Sequence, residues 1–198
     1  MSLLWRNPLR ISLAADRLVL RANRSKTSSI ALQPGPDPEW RPAVDALPGV
    51  LAGFRNHDVS LVLADQFVRY ALIAWNPAVK TEAQWLALAR HRLATVHGPA
   101  AAEWDVKLTQ TAPAGPRLAC AVDRALIEAL ATAFAGTDAR LVCVQPFLVA
   151  AFNRIRKTIG GGSCWLVIEE PGRLTLAFID QGVWTAVRSR RRWSCGCG

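Results

Sequence analysis

Gly160-Gly161-Gly162 is a run of three glycines in this 198-residue chain and has the backbone freedom with which a loop cradles phosphate. A P-loop, however, places its Lys and Ser/Thr after the glycines, whereas Lys157 and Thr158 precede them here. We therefore expect the glycines to join a helix to a strand, with a phosphate cradle as the weaker alternative.

The histidines do not have the spacing of a metal or catalytic site. His91 and His97 are six residues apart on a predicted helix, whereas two ligands on one helical face are three or four residues apart. His57 and Asp58 are adjacent, but no G-x-S-x-G or comparable nucleophile motif accompanies them. These side chains are predicted to lie at the surface.

The five cysteines are an odd number without the spacing of a disulfide framework. Cys120, Cys143 and Cys164 lie in apolar, strand-like runs, where buried free thiols are common. Cys195-Gly-Cys197 lacks further metal ligands nearby. Reduced, structural thiols in a reducing compartment are expected.

Charge is the main compositional signal, because the formal net charge is +9. Arg188, Arg190, Arg191 and Arg192 cluster near the end of the chain. Such a cluster suits a solvated tail, an anionic lipid surface or an acidic protein partner. Nucleic acid is a less favoured partner, because the other arginines are scattered and no nucleic-acid-binding motif is present.

No apolar run approaches the roughly 20 residues of a membrane-spanning helix, and Met1 to Arg10 lacks the apolar core of a secretory signal. The chain is therefore expected in the cytoplasm.

Most of the eight tryptophans, Trp165 and Trp184 among them, are predicted to lie in the core. Trp5 and Trp193 are predicted to be exposed at a protein or membrane contact.

Alternating apolar residues predict a first hairpin over Leu9–Arg21 and a polar third strand over Ser25–Leu32. Asp37 and Pro38 are predicted to start a helix that Pro48-Gly49 interrupts. A second hairpin is predicted from strands 59–64 and 67–75, which Asp65-Gln66 would connect.

Thr81 and Gln84 form a capping-box pattern at the start of a helix that Gly98 ends. Two strands, 104–108 and 118–122, follow, and Asp123 is predicted to cap a helix over 124–134. Asp65, Asp123 and Asp180 are assigned to turns or caps, without a further role.

The stretch from Ala139 to Arg190 has the most regular pattern. An apolar strand over 141–144 precedes a helix over 147–156, and three strands follow at 164–169, 173–179 and 183–188. The short connectors between these strands are typical of hairpins. The order predicts an α/β or α+β domain with a mixed sheet.

This stretch resembles the actin-like ATPase superfamily, and more closely its pilus-assembly and secretion branch of PilM-type proteins and the cytoplasmic domains of GspL- and MshI-type proteins. The resemblance rests on a strand that ends V-x-V-x-P-x, here Val142 to Phe147, and on Trp165 to Glu170. It implies actin-like, ribonuclease H-like lobes. Residues 1–137 would form a first lobe with a small inserted subdomain near 56–122, and 138–198 would begin a second, truncated lobe with a basic tail.

In active members of that superfamily, glycine turns approach the phosphates and a carboxylate holds Mg²⁺ through water. The matching turn here, Ala14-Ala15-Asp16, has no glycine. In the second matching turn, Glu169 and Glu170 repel phosphate and Pro171 lacks an N–H. The site is therefore interpreted as degenerate, with no cofactor expected. If a nucleotide binds, Asp16, Glu169 and Gly172 are the residues predicted to hold it.

The resemblance implies a non-catalytic scaffold, a pseudo-ATPase that docks inner-membrane partners of a bacterial pilus or type II secretion-like machine. Anionic lipid is a further expected contact through the arginine cluster. Two alternatives stay open: an actin-like enzyme that binds ATP, and a basic α/β module that binds nucleic acid.

Overall fold

The computed structural model describes residues 6–22, 26–33, 35, 38–109 and 114–191. The chain forms two compact units, each assembled from two separate stretches. Unit 1 comprises Met1–Phe67 and Ala125–Phe147, and unit 2 comprises Val68–Arg124 and Leu148–Gly198.

The helices of the described chain are α1 (Arg41–Leu51), α2 (Glu82–His97), α3 (Arg124–Ala135) and α4 (Phe147–Ile159). The strands are β1 (Asn7–Leu13), β2 (Arg17–Ala22), β3 (Lys26–Ala31), β4 (His57–Leu63), β5 (Val68–Ile73), β6 (Trp104–Leu108), β7 (Arg117–Asp123), β8 (Arg140–Pro146), β9 (Ser163–Glu170), β10 (Arg173–Asp180) and β11 (Val183–Arg191).

Unit 1 is built on a five-stranded mixed sheet with the order β3-β2-β1-β4-β8. The first three strands form an antiparallel meander, whereas β4 runs parallel to both β1 and β8. One face of β1 buries Leu9, Ile11 and Leu13, because apolar residues alternate along this strand. The prediction of a hairpin followed by a polar third strand is confirmed.

The predicted hairpin of strands 59–64 and 67–75 is wrong, although both strands exist. β4 pairs with β1 and β8, whereas β5 pairs antiparallel with β7 in another sheet. A 3₁₀ turn over Asp65–Phe67 separates the two strands. The apolar run of β4 is typical of a central parallel strand that is buried on both faces. Two strands joined by a short turn are also typical of a hairpin, so the sequence pattern did not separate the two arrangements.

The core of unit 1 includes residues of α1 and α3, among them the fully buried Leu47, Leu126 and Leu130. α1 continues through Pro48 to Leu51, so the predicted interruption at Pro48-Gly49 is wrong. A proline inside a helix loses one backbone hydrogen bond, and the apolar face of α1 offsets that loss by burial. The predicted cap, Asp37, lies outside the described residues.

Unit 2 contains two three-stranded sheets, β5-β7-β6 and β11-β10-β9. α2 packs on the first sheet through Trp85, Ala89 and Leu93, which belong to one apolar cluster with Ile73 and Val106. The predicted capping box is confirmed, because Gln84 N donates to Thr81 Oγ1 and the Gln84 side chain accepts from the Thr81 N–H. No helix in the described part of the chain combines the length and the apolar character needed to cross a bilayer.

The second sheet of unit 2 is the predicted three-stranded meander, and β10 is its central strand. α4 packs on it through Phe152, whose ring centroid lies 4.5 Å from that of the buried Trp184. Gln181 and Gly182 both have positive φ, as a two-residue hairpin turn of type I′ requires.

Candidate functional site

The parallel strands β1, β4 and β8 of unit 1 end together at one edge of their sheet. Ligands of mixed and parallel α/β sheets bind beyond this carboxyl edge. Ala64 N donates to Leu13 O at 2.9 Å, so the ends of β4 and β1 are held side by side. The turn Ala14-Ala15-Asp16 lies at this edge, where the resemblance implies the first phosphate loop.

The β1–β2 turn is closed by bonds within the protein. Ala14 N donates to Arg17 O at 3.1 Å, and Leu32 N donates to Asp16 O at 2.8 Å. The Arg17 guanidinium holds the Asp16 carboxylate, with Nε at 3.1 Å from Oδ1 and Nη2 at 2.6 Å from Oδ2. The Ala14 N–H and the Asp16 carboxylate are thus already engaged, which leaves them poorly suited to phosphate and hydrated Mg²⁺.

The hydrogen bonds from Arg17 hold the pKa of Asp16 below its ordinary value of 3.8. A depressed pKa in the folded state means that this pair stabilises the protein fully above pH 4, and that the contribution is lost as the pH falls through the folded-state pKa. We expect Arg17→Gln to raise the pKa of Asp16 toward 3.8, as read from the carboxyl carbon signal in an NMR titration. An unchanged titration curve would show that the pair does not form in solution.

Asp65, for which the sequence pattern predicted only a turn, lies at this edge. It begins the 3₁₀ turn two residues after the end of β4, and it is fully buried, at 0% exposure. A buried carboxyl group at the carboxyl edge of a parallel strand is a candidate for ligand or metal contact. In the sequence, the position of Asp65 after the apolar run of β4 was the signal for this site. The interpretation of residues 59–75 as a hairpin obscured that signal.

Glu169 and Gly172 lie in the β9–β10 hairpin of unit 2, and Asp16 lies in unit 1. Pro171 and Gly172 form the two-residue loop between Glu170 and Arg173. Gly172 has φ of +71°, and a Cβ added there would contact nothing within 4 Å. The conformation of a tight turn therefore explains this glycine without any phosphate nearby.

Gly160-Gly161-Gly162 joins α4 to β9, as predicted. Gly160 has φ of +59°, a conformation typical of a helix C-terminus, and Gly162 N donates to Ile159 O at 3.3 Å.

The histidines make local contacts: His57 Nδ1 lies 2.7 Å from Arg55 O, and burial lowers the pKa of His97. Within the described residues, no group of three or more His, Cys, Asp or Glu side chains could hold a metal ion.

A shallow groove lies at the opposite, amino edge of the unit 1 sheet. Its lining mixes polar and apolar groups and includes Phe134 and Leu141, and its rim carries Arg6, Arg55 and Arg140 together with Asp138. Arg55 Nε lies 3.8 Å from Asp138 Oδ2. Arg6 Nη1 donates to the Asp138 carbonyl at 3.0 Å. Arg140 forms a two-point pair with Asp58, at 3.0 and 2.9 Å, and hydrogen bonding to Arg140 lowers the pKa of Asp58.

Tryptophan burial differs from the prediction at Trp165 and at Trp75, which is 47% exposed. Trp184 is buried, as expected, whereas Trp165 is 63% exposed on the edge strand β9. Trp165 follows an apolar alternation that is typical of core strands, but β9 is paired on one side only within the described residues. Trp5 and Trp193 lie outside the described residues.

The structure describes the three cysteines predicted to be buried and three arginines of the predicted cluster. Cys164 is only half-buried, contrary to the prediction. Cys120 is buried as expected, but Cys143 is exposed, because β8 is an edge strand and not a central one. Arg188, Arg190 and Arg191 lie on β11 and are exposed. Arg192, Cys195 and Cys197 lie outside the described residues.

No family model and no curated protein matches the sequence. Among solved structures, a chain of a PilM–PilN type IV pilus biogenesis complex aligns with 93% of this chain at a TM-score of 0.66 and 14% identity. The cytoplasmic domain of EpsL, an inner-membrane component of the type II secretion system of Vibrio cholerae, aligns with 93% at 0.58 and 10% identity.

A Bacteroides thetaiotaomicron protein with an actin-like ATPase fold aligns with 96% of the chain at a TM-score of 0.56 and 11% identity. The alignments span 61% of the PilM–PilN chain and 71% of each of the other two chains. At these identities the likeness establishes the fold alone. The predicted fold class is confirmed: the chain has a mixed α/β, actin-like ATPase fold similar to that of PilM and of cytoplasmic EpsL.

Proposed function

We propose that the protein is a non-catalytic actin-like scaffold that docks inner-membrane partners of a bacterial pilus or type II secretion-like machine. The observation that carries the proposal is the β1–β2 turn. Alanines stand where the resemblance implies the first phosphate loop, and Arg17 is paired with the carboxylate of Asp16. Phosphate binding at such a turn would require breaking an ion pair and a backbone hydrogen bond first.

A docking role agrees with the relatives and with the surface of unit 1. The compared PilM structure is a complex with PilN, and EpsL is an inner-membrane component of a secretion system. The groove at the amino edge carries Arg6, Arg55 and Arg140 beside Phe134 and Leu141. Arg140 is already paired with Asp58, whereas the Arg55 side chain is 85% exposed and lies 3.8 Å from Asp138, so Arg55 is the more accessible of the two to a partner. An acidic segment of a partner with one or two apolar side chains would complement this groove.

The cellular position follows from the same proposal: the protein acts in the cytoplasm, peripheral to the inner membrane. Arg188, Arg190 and Arg191 of β11, together with Arg192, would favour the anionic leaflet, with each charge near the surface contributing about 1 kcal/mol. The division into a first lobe of residues 1–137 with an insertion near 56–122, and a second lobe that begins at 138, stays a prediction.

An ATP-binding actin-like enzyme is the alternative that a specific observation favours. Asp65 places a fully buried carboxyl group at the carboxyl edge, where a metal-bound nucleotide would lie. Asp16, Glu169 and Gly172 would then be the remaining candidates. Under this alternative, Asp65→Asn would abolish ATP binding, whereas the scaffold proposal expects no ATP binding for either form.

The proposal is tested by titrating the protein with the cytoplasmic segments of inner-membrane pilus and secretion subunits from the same genome, using biolayer interferometry. We expect saturable binding to one of these segments, with a Kd that saturating Mg-ATP changes by less than about twofold. Arg55→Glu should weaken the binding about tenfold or more, since it reverses an exposed charge of the groove.

Arg90→Glu is the matched control, because Arg90 is an exposed arginine of α2 in unit 2 and does not line the groove. Binding that appears only with Mg-ATP would contradict a nucleotide-independent scaffold. Equal losses for Arg55→Glu and Arg90→Glu would show that net charge, and not the groove, attracts the partner.

A further inference from the structure

The two faces of the β9–β10–β11 meander differ in burial. The inner face buries Thr175, Ala177 and Ile179 of β10, each at 0% exposure, together with Trp184 of β11. The outer face, defined as the opposite side of the same three strands, is also largely apolar, but its apolar residues on β9 and β10 are half-buried or exposed. The apolar residues of this outer face include Trp165, Val167, Leu174, Leu176 and Phe178, together with Ala186 of β11.

Pairing register places these side chains in continuous rows. Trp165 lies opposite Phe178, with ring centroids 5.0 Å apart, and Val167 lies opposite Leu176. Trp165 is 63% exposed and Val167 is 56% exposed. The outer-face apolar residues of the central strand β10 are half-buried. Exposed large apolar side chains grouped on one face mark an interaction surface, whereas single ones do not.

The meander of unit 1 provides an internal comparison, because it has the same strand connections. On the face of β1 opposite its buried leucines lie Arg10 and Ser12, which pair with Arg21 and Val19 of β2. That face is mostly polar. An apolar outer face is therefore not a requirement of a meander, and its presence on unit 2 needs a separate cause.

Charged side chains border the apolar rows of the outer face. Arg188 of β11 lies opposite Leu176, and Arg190 lies opposite Leu174, so both arginines flank the rows on the β11 side. Glu169 lies opposite Leu174 on the β9 side. An anionic bilayer would repel Glu169, whereas a protein partner can match a face that is cationic along one side only. On this face Arg188 and Arg190 are therefore assigned to a protein partner in place of the anionic leaflet.

We infer that the outer face docks an amphipathic helix whose apolar stripe covers β9 and β10 and whose acidic flank meets Arg188 and Arg190. A helix is the element that ordinarily covers an apolar sheet face in a layered domain. The eight residues of β10 extend for about 26 Å, which corresponds to a helix of about 18 residues. The surface belongs to unit 2 alone and is separate from the groove and the turn on which the proposed function depends.

The test uses three synthetic fluorescent peptides of about 18 residues, measured by fluorescence anisotropy with the full chain. One has a leucine stripe flanked by glutamates on the side that faces β11, one has lysines in place of those glutamates, and one has the first composition in scrambled order. We expect saturable binding of the acidic peptide, and at least about tenfold weaker binding of the other two.

Val167→Lys should weaken the binding of the acidic peptide about tenfold or more. Val96→Lys should leave that binding unchanged, since Val96 is a valine of α2 with similar exposure, 61%.

Arg188→Glu with Arg190→Glu should reverse the preference toward the lysine peptide. Arg90→Glu with Arg92→Glu changes the net charge equally on exposed residues of α2 and should not reverse it. Unchanged circular dichroism and thermal midpoints of the variants establish that each one folds.

Several outcomes would overturn the inference. These are no binding of the acidic peptide, equal binding of the acidic and scrambled peptides, or equal effects of Val167→Lys and Val96→Lys. Binding of phosphatidylcholine–phosphatidylglycerol vesicles that Val167→Lys abolishes, without peptide binding, would assign the face to a lipid surface instead. A dimer of the wild-type chain that Val167→Lys dissociates, without peptide binding, would assign it to a second copy.

Discussion

Leu61→Ala is expected to lower the free energy of unfolding by about 2–5 kcal/mol, which is a large part of the stability of a typical domain. Leu61 is fully buried in β4, and it lies opposite Ile11 of β1 and Val144 of β8. Truncation removes its apolar contacts and leaves a cavity that a strand paired on both sides cannot close. Urea denaturation followed by circular dichroism measures the change.

Val142→Ala is the matched control for this change, because Val142 lies in the edge strand β8 of the same sheet and is 48% exposed. Its effect should stay within about 0.5 kcal/mol. A small loss for Leu61→Ala would mean that β4 is not a central strand, and would restore the hairpin interpretation of residues 59–75.

Trp184→Ala is expected to cost about 3–5 kcal/mol in unit 2. Trp184 is buried in β11 and its ring packs against that of Phe152 from α4, so its removal separates the helix from the meander. Denaturation monitored by tryptophan fluorescence and by circular dichroism gives the loss of stability.

Trp165→Ala tests the assignment of the two faces of the meander. It removes the same side chain from a position that is 63% exposed, so it should cost less than about 1 kcal/mol. Equal losses for the two tryptophans would contradict the division into a buried inner face and an exposed outer face. A loss confined to Trp184→Ala supports it.

The sequence predicted the elements of this fold better than their pairing. The capping box of Thr81 and Gln84 is local, and the periodicity of β9 to β11 is local as well, so both could be read directly. The partner of β4 could not be read, since a parallel pairing joins strands that are distant in sequence. Cys143 and Trp165 were assigned to the core for the same reason: an apolar pattern does not reveal whether a strand lies at an edge.

The candidate site could be predicted only in part. The absence of glycine in Ala14-Ala15-Asp16 is visible in the sequence, and the resemblance gave that absence its meaning. The pairing of Asp16 with the adjacent Arg17 needed the turn geometry, because neighbouring residues of a strand point to opposite faces. The burial of Asp65 needed the parallel pairing of β4, which places the end of that strand beside β1.

We propose that the β1–β2 turn of this actin-like fold lacks the glycine backbone and the free carboxylate that a nucleotide requires. Isothermal titration calorimetry of the purified protein with Mg-ATP tests it most directly. We expect no saturable heat for the wild-type protein, and the same result for Asp16→Asn and Asp65→Asn. Saturable Mg-ATP binding that either substitution abolishes would show instead that the protein is a nucleotide-binding member of its fold.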